Sequence, residues 1–316
     1  MPMPTFLPYA AKPRCLFLNV SDVSQKLLLG KKLTNKYKPL FYVVERDGTD
    51  LVQYVRRLGI KSIVVDTTTV HFLSDDIINQ IIFLSFQGVK VYEAKDFYEL
   101  INERIPLVKL QSNTYLIDDI FAIRTNTGNE ILKRFFDFGA AALMILPASI
   151  LIAAGAILTV LSSRGPAFFK QIRVGKEGKE FTIYKLRTMV SNHHAGFTTT
   201  NDSRITPIGK ILRKTKIDEL PQLFNILRGD MSLIGPRPER PEFVAQAIME
   251  NAFFNLRHTI RPGVTGWAQV NLPKATPEDN LKKLEFDLYY IKKYNLLFDF
   301  RIIWDTIKVV LTMNSH

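Results

Sequence analysis

The chain has one cysteine, Cys15, in 316 residues. That excludes an intrachain disulfide and a cysteine-rich metal site, and it suits a reducing compartment. The opening "MPMPTFLPYAAKPRC" has no charged stretch followed by an apolar one, so no signal peptide is expected. There is no GxxxxGK[ST] loop and no protein-kinase motif set, so ATP is not indicated as a donor. Negative charge is also scarce: 30 Asp and Glu stand against 42 Lys and Arg, a net +12. Such a balance points to nucleic acid, anionic lipid or phosphorylated small molecules. A nucleic-acid reader is disfavoured, because neither a reading helix nor an aromatic sheet motif is recognisable.

Apolar residues make up 47% of the chain, and they are concentrated. Short β-branched or aromatic runs at 14–19, 40–44, 62–66 and 89–93 alternate with helix-like patterns at 21–32, 49–58, 75–87 and 96–104. Alternation of this kind predicts a parallel α/β domain of roughly Rossmann type over residues 1–110. Its first strand-to-helix turn, "NVSDVS", has no glycine. The dinucleotide fingerprint is therefore missing, and a structural or regulatory role fits better than nucleotide binding. The polar stretch 111–130 reads as a linker.

From Phe138 to Leu161 no residue carries a charge. These 24 residues exceed the ~20 needed to span a bilayer, but Pro147 sits in their middle. Both flanks are basic, with Lys133 and Arg134 before and Arg164, Lys170, Arg173 and Lys176 after. A simple crossing should show charge asymmetry. Residues 131–163 are therefore expected to form a re-entrant helix bent at Pro147, with both ends cytoplasmic. A buried core helix is the plainer alternative.

Residues 164–316 follow as a basic unit. "KEFTIYKLRTM" alternates like a strand and puts Lys185 and Arg187 on one face. His193 and His194 lie in a polar stretch with no third ligand nearby, so they read as solvated. In "KIDELPQL", Asp218 and Glu219 stand where a helix over 220–227 should begin, with Pro221 in its first turn. An N-cap role for the aspartate would be ordinary. The cations around the pair make a different case. Arg213 and Lys216 precede it, and "GPRPERP" holds Arg237 between two prolines, as bidentate phosphate binding requires. "RPGVTGWAQVN" adds Arg261, two glycines for close backbone approach and Trp267 as a stacking surface. Carboxylates beside an anion-binding helix end point to phosphoryl transfer, with cations or Mg²⁺ offsetting repulsion.

The segments "KRFFDF", "RGPAFFKQIRVGKEGKEFTIYKLRTM", "LRKTKIDELPQLFNILRGDMSLIGPRP", "RHTIRPGVTGWAQVN" and "EFDLYYIKKYNLLFDFRIIWDT" resemble the bacterial polyprenyl-phosphate sugar-1-phosphate transferases, the monotopic phosphoglycosyl transferases. The resemblance covers about 180 residues in order. It implies a mostly helical catalytic unit anchored in the cytoplasmic leaflet of the bacterial plasma membrane. It also implies an Mg²⁺-dependent enzyme that moves a sugar 1-phosphate from a UDP-sugar to polyprenyl (undecaprenyl) phosphate and releases UMP, beginning exopolysaccharide, O-antigen or other glycan assembly. On that resemblance Asp218 is the nucleophile, Glu219 its partner, and both are metal-ligand positions. Arg213 and Arg237 are phosphate-binding positions, and Lys185, Arg187 and Arg261 are further candidates.

Leu146-Pro147 replaces the family's usual Ser-Pro, Phe286 its usual Tyr, and the membrane helices that larger members carry before the α/β domain are not visible in this sequence. A non-enzymatic membrane adaptor or nucleotide-sugar sensor on the same fold is the second reading, and the intact Asp218, Glu219, Arg213 and Arg237 weigh against it. In the tail, Leu281, Leu284, Leu288 and Ile291 share a helix face, which suits either the membrane surface or the catalytic core. The sugar and the oligomeric state, a homo-oligomer included, stay open.

Overall fold

The computed structural model describes residues 12–44, 50–66, 69, 73–107, 127–190, 202–276 and 279–312. The chain divides into two compact units, Met1–Pro106 and Leu107–His316.

In the first unit the strands are β1 (Arg14–Leu18), β2 (Lys38–Tyr42), β3 (Ser62–Val65) and β4 (Lys90–Glu93). They form one parallel sheet in the order β2-β1-β3-β4. Helices α1 (Asp22–Leu28), α2 (Lys31–Lys36), α3 (Leu51–Leu58) and α4 (Asp75–Phe86) connect them, and α5 (Ala94–Asn102) follows β4. Both faces of the sheet are covered, which is why the strands read as near-continuous apolar runs. Cys15, Phe17 and Val64 pack with Leu28, Leu33 and Phe97 on one face. Leu16, Leu18 and Ile63 pack with Leu51, Val55, Ile77 and Leu84 on the other. Cys15 is fully buried, and burial pushes its thiol up to about 12. The helical pattern over 21–32 is divided at Gly30, the N-cap of α2.

Most of the proposed linker lies outside the described residues. Its last four positions are helical, because α6 (Thr127–Ser162) begins there. At 1.5 Å per residue this 36-residue helix is about 54 Å long. Its assignment runs through Pro147 uninterrupted, with the Ser149 hydroxyl donating to the Leu146 carbonyl at 2.6 Å. The helix is long and apolar enough to cross a membrane, and only 22% of its most apolar window is buried by protein. Ala141, Ala148 and Ile152 provide the inward stripe, against Ile183, Leu186, Leu212, Leu223, Ile226 and Met231. Leu143, Leu146, Ile150 and Leu161 face outward.

The rest of the second unit is built against that stripe. Strands β5 (Phe168–Val174) and β6 (Glu180–Leu186) form an antiparallel hairpin. Then come α7 (Pro207–Lys214), a 3₁₀ turn (Ile217–Gln222), α8 (Leu223–Arg228) and β7 (Ser232–Ile234). Next are α9 (Pro241–Glu250), a 3₁₀ segment (Ala252–Thr259) and β8 (Gly263–Thr265), which pairs parallel with β7. Helices α10 (Trp267–Asn271), α11 (Asn280–Lys292) and α12 (Leu296–Leu311) complete it.

The tail helices differ in kind. In α11, Leu284, Leu288 and Ile291 are buried, so that face packs on the core. In α12, Leu297, Phe300, Trp304, Ile307 and Leu311 are exposed along one stripe. A buried ion network joins α12 to the start of α6. Lys133 Nζ lies 2.7 Å from Asp299 Oδ2, and Tyr290 donates to Asp299 Oδ1 at 2.6 Å. Asp137 Oδ1 accepts from the Leu233 main-chain N–H at 3.1 Å.

Candidate active site

The acid pair sits in a tight 3₁₀ turn rather than before an α-helix. Thr215 ends α7, Lys216 takes the left-handed conformation (φ 57°, ψ 14°), and Ile217–Gln222 winds into α8. 3₁₀ turns are common at helix starts, and Pro221 is tolerated this early because its missing N–H would lack an intrahelical partner. The N-cap is Lys216, not Asp218. The ordinary explanation for the aspartate therefore does not hold: its Oδ1 is buried and accepts no hydrogen bond among the described residues.

Adjacent acids meet opposite environments here. Glu219 Oε1 is 2.7 Å from Lys185 Nζ and 3.2 Å from Arg237 Nη2. Burial works against its charge, but Lys185, Arg237 and Lys216 more than offset this and hold the carboxyl far below the usual range. Among the described residues Asp218 has no such pair. Burial, then the charge of Glu219, raises its pKa, against the pull of Lys185, Lys216 and Arg213. The two environments push the adjacent carboxyls in opposite directions, which is how neighbouring carboxylates can take separate roles.

Each cation is placed by its own element. Lys185 is next to last in β6, opposite Phe169 of β5. Arg213, in the last turn of α7, donates from Nε to Thr188 Oγ1 at 2.8 Å, and Asp218 is the strongest charge acting on it. Gly209 lets α7 approach this closely, since a Cβ there would lie 2.1 Å from the Thr188 carbonyl oxygen. Arg237 follows β7 and reaches back to Glu219. A small cleft beside the pair is lined by Arg173, Lys185, Gln222, Arg237 and Pro238, among others.

Three of the expected residues make other contacts. Arg187 does not reach the acid pair. It is buried and donates to the carbonyls of Ser163 (2.7 Å), Arg164 and Gly165 (3.2 Å), closing the C-terminal end of α6. Arg261 donates to the Gly229 carbonyl at 3.0 Å, fixing the turn after α8. Trp267 is buried against Phe298 and the Arg301 guanidinium, so it offers no stacking surface. The glycines of its segment let protein backbone approach, since a Cβ on Gly263 would lie 2.1 Å from the Gly235 nitrogen and one on Gly266 2.2 Å from the Gly235 oxygen, and Gly263 also lines the cleft. His193 and His194 lie outside the described residues. Thr188 and Gln222 escaped sequence reasoning, because neither residue type carries a signal by itself.

Among the described residues no three His, Cys, Asp or Glu side chains gather as a metal site. Mg²⁺ needs less, since it keeps several waters and takes one or two carboxylates plus phosphate oxygens. The unpartnered Asp218 Oδ1 fits that demand. Glu219 brings a second carboxylate, although its Oε1 already accepts from two cations.

The family model described as bacterial sugar transferase matches residues 128–313. A UDP-N-acetylgalactosamine-undecaprenyl-phosphate N-acetylgalactosaminephosphotransferase of Aeromonas hydrophila is 43% identical over 231 residues, covering 71% of this chain and 53% of that protein. A UDP-glucose:undecaprenyl-phosphate glucose-1-phosphate transferase of Escherichia coli is 40% identical over 57% of this chain and 40% of its own length. An undecaprenyl-phosphate galactose phosphotransferase of Salmonella typhimurium is 32% identical over 72% of this chain and 48% of its own. The chain thus spans about half the length of these relatives or less. The match runs from the start of α6 to the end of α12 and takes in every cation described above, so the chain belongs to the bacterial sugar transferase family.

Proposed function

We propose that the protein transfers a sugar 1-phosphate from a UDP-sugar to polyprenyl phosphate and releases UMP. The observation that carries this reading is the buried Asp218 carboxylate, whose Oδ1 has no hydrogen-bond partner among the described residues, beside a Glu219 already neutralised by Lys185 and Arg237. A free aspartate oxygen in a cationic setting is suited to attack phosphorus. The Asp218 oxygen bonds to the sugar-bearing β-phosphorus as the bond to the α-β bridging oxygen breaks, and UMP leaves with that oxygen. A polyprenyl-phosphate oxygen then attacks the same phosphorus, and the Asp218 carboxylate is released. Lys185, Arg213 and Arg237 draw the phosphates in and offset their repulsion from the two acids. Mg²⁺, held by Asp218 and the free side of Glu219, would supply further charge neutralisation.

The lipid acceptor needs the site at a membrane. Outward apolar residues on α6 and the stripe on α12 support that placement, and the cationic flanks of α6 favour a cytoplasmic position for both ends. We assign α6 as re-entrant at Pro147 and the first unit as Rossmann-like with a structural or regulatory role. The three relatives are named for three different sugars, so the sugar is left to assay.

The test is to incubate the full chain with a panel of UDP-sugars, polyprenyl phosphate and Mg²⁺ and follow UMP. Release with at least one sugar is expected, with turnover abolished by Asp218→Asn. No UMP from any common UDP-sugar would refute the reaction, and substantial activity of D218N would refute the nucleophile. Labelling of single cysteines at positions 130 and 165 in sealed vesicles, with Cys15 replaced, should give equal accessibility. Opposite accessibility rules out re-entrance.

A further inference from the structure

Arg237 has a long side chain that is 41% exposed, yet it meets Glu219 at 3.2 Å. An arginine so open to solvent has many rotamers to choose from, and holding it in one of them has an entropic cost. The prolines on either side fix its φ/ψ neighbourhood but not the position of the loop.

That position is set from outside the loop. Arg257 Nη2 donates to the Arg237 carbonyl at 3.1 Å and to Asp287 Oδ2 at 2.7 Å. Arg257 and Asp287 are 4% and 1% exposed, so the pair is taken out of water. Arg257 lies in the 3₁₀ segment and Asp287 in α11, far from the dyad in sequence. A second arginine holds the neighbouring residue: Arg173 of β5 donates to the Pro238 carbonyl at 2.9 Å and pairs with Glu239 at 3.3 Å. Val174 N–H to the Glu239 carbonyl, at 3.0 Å, ties down the next.

Burying guanidinium and carboxylate groups is a weak route to stability, since apolar residues of similar volume often do as well. What the Arg257–Asp287 pair supplies instead is a donor at a defined point, aimed at one main-chain oxygen. We propose that Arg257, oriented by Asp287, is a positioning residue for Arg237: it fixes the Arg237 main chain so that the guanidinium bears on Glu219 and on the substrate phosphate. The bearing on Glu219 and the main-chain contact are geometric; the bearing on phosphate rests on the function proposed above. Arg257 touches no reacting atom. It acts through Arg237, and a displacement of the loop by 1 Å is enough to cost about 100-fold in rate.

Two measurements on the full chain test this. The first is a double-mutant cycle on kcat/KM for the UDP-sugar with Arg237→Ala, Arg257→Met and the pair. Arg257→Met should lose 10- to 100-fold, and the double variant should be within about twofold of Arg237→Ala alone. Losses that multiply would overturn the proposal, because a purely structural role is blind to whether Arg237 is present. Arg257→Lys keeps the charge beside Asp287 and should recover part of the loss, which covers the case in which the methionine variant folds poorly. The second is the experimental structure of the Arg257→Lys or Arg257→Met protein without substrate. Arg237 should leave Glu219. An unchanged 3.2 Å contact would overturn the proposal whether or not the protein is a transferase. A wild type that releases no UMP would instead strike the function alone.

Discussion

Neutralising the two adjacent acids should move stability in opposite directions. Glu219→Gln removes a carboxylate that faces Lys185 at 2.7 Å and Arg237 at 3.2 Å. At an effective dielectric of ~20 the gross attraction is about 6 kcal/mol for the first contact and about 5 for the second. Desolvation cancels much of this, and Arg237 is exposed enough that its share is largely screened. Lys185 is then left with an uncompensated buried charge, the case that costs about 3–5 kcal/mol. We expect a loss of about 3 kcal/mol for E219Q. Asp218→Asn removes a buried charge whose Oδ1 has no hydrogen-bond partner among the described residues. Stability should stay within ~1 kcal/mol of wild type or rise, since an unpaired buried charge is itself a cost.

The difference should shrink in acid. Glu219 has a depressed pKa in the folded state, so its contribution is present above the unfolded value and lost as pH falls through the folded one. Asp218 has a raised pKa, so its cost is present at neutral pH and vanishes as pH falls through that raised value. The assay is urea unfolding in detergent followed by tryptophan fluorescence. Both tryptophans, Trp267 and Trp304, lie in the second unit, so the signal reports that unit alone. Equal losses for D218N and E219Q at pH 7.5, or a larger loss for D218N, would refute the reasoning.

As the proposed nucleophile, Asp218 must be ionised to attack, so the acid limb of kcat/KM for UMP release should follow its titration. Lys216→Ala, which removes a cation that lowers that pKa, should shift the limb to higher pH; a shift to lower pH contradicts the assignment. Gly235→Ala would place a Cβ 2.4 Å from the Arg261 carbonyl oxygen, and about 2–4 kcal/mol of stability should be lost in the same urea assay. Arg187→Gln uncaps the end of α6 and should cost about 2 kcal/mol while leaving KM for UDP-sugar unchanged; a raised KM would restore Arg187 to the substrate site. Trp304 on the outer stripe of α12 should be quenched by brominated lipid, and Trp267 should be protected; equal quenching argues against a membrane-facing α12.

The strands of the first unit were legible almost to the residue, because parallel strands buried on both faces are uniform apolar runs. Observed bounds of 14–18, 62–65 and 90–93 fall inside the expected runs, and β2 starts two residues early. In the second unit, "KEFTIYKL" and the α11 face were equally plain. The grouping of Lys185, Glu219 and Arg237 was legible as types and spacing, but not as contacts across 34 and 18 residues. Arg187 shows why. Residues 185 and 187 share a strand period, yet the chain leaves β6 after Leu186, so the second side chain turns to the end of α6 instead. Arg257 and Asp287 were invisible as a pair, because nothing local in either segment records a partner 30 residues away.

Gly155 of α6 lies directly behind the strand that carries Lys185: a Cβ there would lie 2.6 Å from Leu186 Cδ1, next door to the lysine. At this distance the position of α6 bears on the Leu186 side chain and, through it, on β6. With α6 re-entrant, as proposed above, its depth in the lipid would be felt first at the strand that carries the ammonium holding Glu219.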